Sequence, residues 1–206
     1  MATIYTIGHS TRTLDELVAA LQAHGIRTLV DIRAFPMSRR LPHFNRESFE
    51  LELPSRGIEY VWMKQLGGRR KKIRDASPNT GLRNDSFRNY ADYMLTPEFA
   101  QAIDRLLQLA EETADPSTPA ARGGPPPLRM TVEEGSAVRR NHNIAIMCAE
   151  RVYFQCHRML VSDYLTAHGH TVLHIDDDQH PPRTHKLMSE AHLVDGHLLY
   201  NAQELF

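Results

Sequence analysis

Short apolar runs alternate with amphipathic stretches along the first third of the chain. Three runs of strand length, each adjoining a glycine, occupy residues 4–7, 26–33 and 58–63. Between them, apolar residues recur with a 3.6-residue period over 13–25, and a second helical pattern covers 45–57. Thr13, followed three residues later by Glu16, is typical of a capped helix start. This order of strands and helices predicts an α/β fold with a parallel sheet and right-handed crossovers.

The second half of the chain continues the pattern after an interruption. Two helices, a strand, a helix and a strand are predicted there, over 86–95, 97–111, 143–148, 156–169 and 171–175. Residues 112–142 contain five of the twelve prolines and few bulky apolar side chains, which predicts a flexible surface insertion. We therefore predict one domain over 1–206, a Rossmann-like, three-layer α/β fold. Its mainly parallel sheet has about five strands, and it carries a helical and basic insertion as well as the flexible one.

The composition narrows the classes of function. The 206 residues include 24 Lys and Arg against 25 Asp and Glu, so the net charge predicts no polyanionic partner. No apolar run reaches 18 residues and the N-terminus lacks the basic start of a signal peptide. We therefore expect no membrane association and a cytoplasmic location. Two cysteines are too few for a disulfide scaffold, and we expect both thiols to be reduced.

Polar residues follow the predicted strands at the point where each strand ends. In strand order they are His9 and Ser10, then Asp31 and Arg33, then Cys148 and Glu150, and finally His174 and Asp176. The carboxyl ends of parallel strands meet at one edge of the sheet, and ligands of open α/β sheets bind outside that edge. The pattern alone therefore predicts a site there.

Both cysteines lie in the stretch "CAERVYFQCHR", residues 148–158. Cys156 falls where a helix is predicted to begin, and the free N–H groups and dipole of a helix start stabilise a thiolate. We predict that Cys156 is a nucleophile or redox thiol, with His9 or Glu150 as its proton-transfer partner. A small buried residue at a strand–helix junction is an equally good explanation of Cys156. Cys148 is a further catalytic candidate, although packing explains a cysteine at a strand end better.

The substrate of such a site is predicted to be a small anion, such as a phosphorylated or nucleotide-like molecule. Arg33 and Arg158 have the planar guanidinium groups that suit phosphate or carboxylate. The residues predicted to bind the substrate are Ser10, Asp31, Arg33, Ser38, His157 and Arg158. An Asp31–Arg33 pair and a solvated loop explain part of this set equally well.

Several specific motifs can be tested by spacing. Neither cysteine is followed six residues later by arginine, so a phosphatase-type loop is absent, and seven residues between the cysteines exclude a thioredoxin-like motif. Cys148, Cys156 and His157, with His9 as a fourth ligand, form an alternative metal site that the spacing does not demand. The sequence identifies no cofactor. Most of the late histidines, which show no ligand spacing, are predicted to lie at the surface.

A basic segment provides a second function class. Residues 64–88 hold eight Lys or Arg and two Asp, with aromatic residues nearby, which suits a nucleic-acid backbone and stacked bases. In this alternative the chain is a binding module without chemistry that contacts phosphates through Lys64, Arg69, Arg70, Lys71 and Lys72. A solvated surface explains such a charge run somewhat better.

Five separated motifs resemble a known family. "TIGHS", "DIRAFPMSRR", "GIEYVWMKQLGG", "CAE" and "CHR" occur in the order found in the bacterial and archaeal domain of unknown function 488 family. The resemblance implies a compact α/β domain with its motif residues in one cleft, and no assigned activity. The motif positions it implies are His9, Ser10, Asp31, Arg33, Pro36, Ser38, Gly67, Gly68, Cys148, Glu150, Cys156, His157 and Arg158. The bulky link between "CAE" and "CHR" and the proline-rich insertion depart from the family pattern.

Overall fold

A computed structural model of the protein describes residues 1–114 and 142–201. Its strands are Thr3–Gly8 (β1), Ile26–Asp31 (β2), Glu59–Trp62 (β3), Asn143–Cys148 (β4), Thr171–Ile175 (β5), Arg183–Thr184 (β6), Ala191–Val194 (β7) and His197–Tyr200 (β8). Its α-helices are Leu14–Ala23 (α1), Arg46–Ser55 (α2), Asp85–Met94 (α3), Pro97–Ala114 (α4) and Arg158–Ala167 (α5). The five predicted strands are confirmed. Helix α4 extends into the predicted insertion at 112–142, and residues 115–141 of that insertion lie outside the described part.

The main sheet has six strands in the order β3-β2-β4-β1-β5-β6. All neighbouring pairs are parallel except β5 and β6, which are antiparallel. Strands β7 and β8 form a separate antiparallel hairpin near the C-terminus. The predicted three-layer α/β fold with a mainly parallel sheet is therefore confirmed.

Helices cover both faces of the sheet, and the strand sequence shows why. In β4, Ile144 and Ile146 pack against α3, α4 and α5, while Ala145 and Met147 pack against α1 and α2. Successive side chains of a strand point to opposite faces, so a continuous apolar run buries both. The carboxyl end of the sheet is left as the edge where polar side chains gather.

The two helices nearest the predicted site begin differently from each other. At α1 the predicted cap is confirmed, because Thr13 accepts the Glu16 N–H at 3.2 Å and the Glu16 carboxylate accepts the Thr13 N–H at 2.7 Å. At α5 the predicted start is wrong by two residues: the cap is His157 and the first helical residue is Arg158. Cys156 is extended and ends a short 3₁₀ turn, with its N–H donated to the Tyr153 carbonyl oxygen.

The connections of the sheet diverge at β4. Helix α1, which follows β1, packs on one face, whereas α5, which follows β4, packs on the other. Strands β1 and β4 are neighbours, and Gly8 pairs with Cys148 at their carboxyl ends. Such a divergence leaves a crevice outside the strand ends, where ligands of open α/β sheets bind.

A buried polar network attaches the C-terminal region to the sheet. The Asp163 carboxylate accepts a hydrogen bond from His185 at 2.8 Å, and His185 and His174 are joined at 2.9 Å. His174 reaches the Thr6 hydroxyl of β1 at 2.8 Å, and the Tyr200 hydroxyl donates to Asp163 at 3.1 Å. All five side chains are buried. Most of the late histidines are at least partly exposed, as predicted. His174 and His185 are the exceptions, and they connect α5, β1 and the strands that follow.

Within the described residues, no helix combines the length and apolar character needed to cross a membrane. The cytoplasmic location inferred from the sequence stays a prediction.

Replacing His185 tests the buried network. In His185→Ala both the Asp163 carboxylate and His174 lose a buried hydrogen-bond partner, so we expect a loss of about 2 to 4 kcal/mol in the free energy of unfolding. Urea denaturation measures it. The control is His180→Ala, which removes an exposed ion pair with Asp177 and should change stability by less than about 0.5 kcal/mol. Equal effects of the two variants would show that the network does not stabilise the fold.

Candidate functional site

A cleft of about 400 Å³ opens at the carboxyl ends of β1, β2 and β4. Its lining consists of His9, Ser10, Thr11, Arg33, Phe35, Met37, Ser38, Leu41, Ala149, Glu150, Arg151 and Gln155. The structure thus brings together five residues predicted from the sequence, which are His9, Ser10, Arg33, Ser38 and Glu150. Five other predicted residues are buried and do not line it, which are Asp31, Cys148, Cys156, His157 and Arg158.

Arg33 is held by other side chains of the protein rather than presented to a ligand. Its guanidinium forms a buried ion pair with Asp31, with an Nη2–Oδ2 distance of 2.5 Å, and donates to the Phe44 carbonyl oxygen at 2.8 Å. The Tyr60 hydroxyl also donates to Asp31, at 2.8 Å. The alternative of an Asp31–Arg33 neighbour pair therefore describes these two residues, and the buried Asp31 holds Arg33 as a fixed part of the cleft wall.

His9 belongs to the same wall. Its Nε2 lies 3.2 Å from Arg33 Nη1 and its Nδ1 lies 2.9 Å from the Ser10 carbonyl oxygen. Since a guanidinium only donates, Nε2 accepts and Nδ1 carries the proton. Burial, together with the Arg33 charge, lowers the pKa of His9 to about 4. A neutral imidazole whose lone pair is occupied is a weak proton acceptor, and these contacts direct His9 towards Arg33 instead of the cysteines.

The backbone beside His9 is strained. Ser10 has a φ of 51°, a left-handed conformation that residues with a Cβ rarely adopt. Its N–H donates to the Ala149 carbonyl oxygen at 2.9 Å, and the His9 N–H donates to the Cys148 carbonyl oxygen at 3.0 Å. The end of β1 is therefore fastened to the chain that follows β4. Strain of this kind concentrates at functional sites.

The cysteines form a second cluster, on the α5 side of the sheet. The ligand atoms of Cys148, Cys156 and His157 all lie within 4.8 Å of one another, and all three residues are buried. His157 Nδ1 lies 3.9 Å from Cys148 Sγ, while its Nε2 lies 2.9 Å from the Ile32 carbonyl oxygen. Because that carbonyl can only accept, Nε2 carries the proton and the Nδ1 lone pair faces the Cys148 sulfur. This donor set is chemically able to hold a soft metal ion.

Arg158 provides the charge of this cluster. Only 1% of its surface is exposed, and its Nε donates to Cys156 Sγ at 3.3 Å. Its Nη2 donates to the carbonyl oxygens of Glu150 and Arg151. Within the described part of the chain, no carboxylate pairs with it. A buried guanidinium without a carboxylate partner costs several kcal/mol, so one negative charge on the neighbouring Cys148–Cys156 pair is favoured.

The two thiols are not equivalent. A hydrogen bond from Cys156, backbone N–H groups of Glu150 and Ala149, and the charge of Arg158 together lower the pKa of Cys148 to about 7. The neighbouring Cys148 sulfur and burial raise the pKa of Cys156. The single Cys156 S–H has two acceptors in reach, Cys148 and the Tyr153 carbonyl oxygen at 3.6 Å. These contacts favour ionisation of Cys148 over Cys156, whereas the sequence had indicated Cys156 as the activated thiol.

The segment 149–155 separates the two clusters. Ala149, Glu150, Arg151 and Gln155 line the cleft, whereas Cys148 and Cys156, at its two ends, are only 7% and 6% exposed. The carboxylate of Glu150 is exposed at the cleft, and its carbonyl oxygen is held by Arg158. The cysteine side chains are therefore buried next to the cleft and are not part of its lining.

Two glycines allow the close packing around this cluster. A Cβ at Gly8 would lie 1.9 Å from the Glu150 carbonyl oxygen and 2.8 Å from Arg158 Nη2. A Cβ at Gly68 would lie 2.3 Å from His157 Nδ1. The N–H of Gly67 is donated to the Lys64 carbonyl oxygen. Gly68 therefore leaves the room that the imidazole occupies, and the Gly67 N–H is already bonded within the protein.

The basic segment is only partly available to a ligand. Arg70 donates to the Gly67 carbonyl oxygen and stacks 3.5 Å from the centre of the Tyr93 ring, and Lys72 lies 3.5 Å from Asp75. Lys64, Arg69 and Lys71 are exposed. Nucleic-acid binding by this segment stays a prediction.

A residue that the sequence reasoning missed is Arg151. It is exposed and lines the 400 Å³ cleft. It also lines a neighbouring cleft of about 600 Å³, whose five carboxylates are Asp15, Glu16, Asp176, Asp177 and Asp178. Those carboxylates repel an anion, so the smaller cleft suits one better. The sequence signal for Arg151 is its position between the two cysteines in "CAERVYFQCHR". The anion site was instead predicted at Arg33 and Arg158.

Comparison with known proteins places the chain in a family. Residues 13–115, half of the chain, match the family described as Domain of unknown function DUF488. The chain belongs to this family. No curated protein and no solved structure matches it. Membership of DUF488 confirms the resemblance seen in the motifs and assigns no reaction. The role of each site residue therefore rests on its geometry alone.

Replacing Gly8 tests how tightly β1 packs on the cysteine segment. Gly8→Ala places a methyl group against the Glu150 carbonyl and Arg158, and we expect it to cost about 2 to 3 kcal/mol in stability. The control is Gly169→Ala, where a Cβ meets nothing within 4 Å and only the φ of +82° opposes it, at about 1 kcal/mol. Chemical denaturation measures both. A Gly8 variant no less stable than the Gly169 variant would contradict the packing described.

Proposed function

We propose that the chain is a cysteine-dependent enzyme that acts on a small anionic substrate bound at the carboxyl ends of β1, β2 and β4. The observation that carries the proposal is the buried Arg158 guanidinium, which contacts Cys156 Sγ and has no carboxylate partner in the described residues. Its charge stabilises a thiolate in the Cys148–Cys156 pair. Nucleophilic catalysis by cysteine requires such a thiolate near neutral pH.

Cys148 is the nucleophile in this proposal. It lies at the end of a central strand, beside the crevice left by the diverging connections. Its sulfur faces the unprotonated Nδ1 of His157, which is within reach of its proton. His157 replaces His9 and Glu150 as the proton-transfer partner, because only His157 contacts the thiol. Burial lowers the pKa of His157, so the ring is neutral, and its Nδ1 lone pair, unlike the lone pair of His9, is not taken by an arginine.

Arg151 is the residue that attracts the anion. Its side chain is exposed at the cleft, whereas the guanidinium of Arg33 is neutralised by Asp31. Ser10 and Ser38 also line the cleft and offer hydroxyl groups as hydrogen-bond donors. The phosphate of a nucleotide, or a carboxylate of similar size, satisfies this arrangement. Arg158 does not line the cleft. It acts on the site through its contacts with the cysteine cluster and with carbonyl oxygens of segment 149–155.

A metal site on Cys148, Cys156 and His157 is a second candidate. The orientation of His157 favours it, because histidine ligands of metals often donate their other N–H to a backbone carbonyl. The buried Arg158 works against it, since a cation beside the sulfur atoms repels a metal ion. Metal analysis of protein purified without a nickel column separates the two candidates. The thiol proposal predicts no stoichiometric metal, and about one zinc ion per chain would favour the second candidate.

Alkylation of the folded chain tests the thiol proposal. We expect iodoacetate, an anion, to label Cys148 before Cys156. The rate of labelling by iodoacetate, divided by the rate with neutral iodoacetamide, should exceed the same quotient for a free thiol. In Arg151→Gln that relative rate should fall several-fold, since one cationic group at the cleft is lost. Peptide mapping by mass spectrometry measures the site and rate of labelling.

The matched control for this experiment is Arg74→Gln, which removes an exposed charge outside the cleft and should leave the relative rate unchanged. Preferential labelling of Cys156, or no labelling of either thiol in the folded protein, would overturn the assignment of Cys148. An unchanged ratio in Arg151→Gln would show that this residue does not attract the anion.

A further inference from the structure

The two thiols are close enough to react with each other. Their sulfur atoms lie within 4.8 Å of each other, and both belong to the same buried cluster. Both residues flank segment 149–155, and this segment has to move before a ligand in the cleft can reach their sulfur atoms. The mechanism proposed above uses Cys148 and leaves a second buried thiol beside it without a role.

We propose, on the basis of the function proposed above, that Cys148 and Cys156 are a nucleophilic and a resolving thiol that reduce a disulfide bond in a small anionic substrate. In the first step the Cys148 thiolate attacks one sulfur of the substrate disulfide. A mixed disulfide forms, and the other half leaves as a thiolate. In the second step Cys156 loses its proton and attacks the Cys148 sulfur. The Cys148–Cys156 disulfide forms, and the second half of the substrate leaves as a thiolate.

The electrons and atoms balance in this sequence. The substrate gains two electrons and is released as two thiols after protonation, while the enzyme dithiol loses two electrons and becomes a disulfide. A thiol reductant, such as a low-molecular-weight dithiol, returns the enzyme to its starting state by the same exchange chemistry. No other co-reactant is needed.

The surroundings of Cys156 suit the resolving role. Its sulfur lies within 4.8 Å of the Cys148 sulfur, so it is in place to attack a mixed disulfide formed on Cys148. Once Cys148 is in a mixed disulfide, its negative charge is gone and Arg158, at 3.3 Å from Cys156 Sγ, favours ionisation of Cys156 instead. His157, the next residue, has an unprotonated Nδ1 in the same cluster. Arg158 thus stabilises the Cys148 thiolate in the first step and the Cys156 thiolate in the second.

A sulfur electrophile fits the site better than a phosphoryl group. Release of a phosphoryl group from cysteine needs an activated water molecule beside the sulfur. Cys148 is 7% exposed, and its nearest base is the buried His157. The His9 lone pair is occupied by Arg33. The adjacent thiol, by contrast, is already in place, and intramolecular attack has a large advantage over attack by water.

Trapping of the intermediate tests the inference with oxidised glutathione, an anionic disulfide, as the probe. The wild-type chain should form the Cys148–Cys156 disulfide and release two glutathione thiols per chain. Cys156→Ser should stop at a mixed disulfide on Cys148, and Cys148→Ser should form at least ten-fold less adduct on Cys156. Intact mass and peptide mapping identify each product. Circular dichroism confirms that the variants are folded, and the wild-type product does not depend on any variant.

The outcomes separate this inference from the proposed function. If Cys148 reacts with iodoacetate, but wild-type chain and glutathione disulfide stop at the mixed disulfide, Cys148 is a nucleophile and the resolving role of Cys156 is wrong. If neither reagent modifies Cys148, both proposals are wrong. Formation of the intramolecular disulfide through an adduct on Cys156 would reverse the two roles and overturn the inference.

Discussion

The guanidinium of Arg158 organises the carboxyl edge of the sheet. It lies in the first turn of α5, is almost completely buried, and touches Cys156 Sγ together with the carbonyl oxygens of Glu150 and Arg151. Those contacts hold segment 149–155 in the shape that buries Cys148. The same segment presses against Gly8 at the end of β1, which leaves no room for a side chain there. A buried cation needs a negative partner, and the thiols are the groups in contact that can supply one.

Sheet topology divides the polar residues at this edge into two groups. Asp31, Arg33 and His9 pack on the side covered by α1 and α2, where His9 and Phe44 are 4.1 Å apart between ring centres. The thiols and His157 lie on the side covered by α5. Segment 149–155 passes between the groups and lines the cleft with its outer surface. One group shapes the cleft, the other holds the buried sulfur atoms, and segment 149–155 lies between them.

Local patterns predicted the elements and the edge of the sheet where the site lies. Apolar runs beside glycine gave the strands, and the Thr13–Glu16 pair gave the start of α1, because these signals depend on neighbours in sequence. The hydrogen-bond and ion-pair partners of individual side chains were less predictable. Arg33 lies at a strand end, where an anion site is expected, yet the structure pairs it with Asp31 and Phe44.

The predicted start of α5 at Cys156 was wrong for a similar reason. Cys156 lies two residues before α5 begins, and a 3₁₀ turn after Val152 takes up its N–H group. Burial of His174 and His185 depends on Asp163, which is distant in sequence from both. Contacts of this kind are decided by the packed fold, and no local spacing reports them.

The most direct test is the pH dependence of thiolate ultraviolet absorbance in the folded chain. The account predicts one thiolate per chain with a midpoint near the pKa of about 7 for Cys148. Cys148→Ser should abolish this titration, and Arg158→Gln should move its midpoint upward. A thiolate signal that appears only above about pH 8.5, as for a free thiol, would contradict the central role given to Arg158.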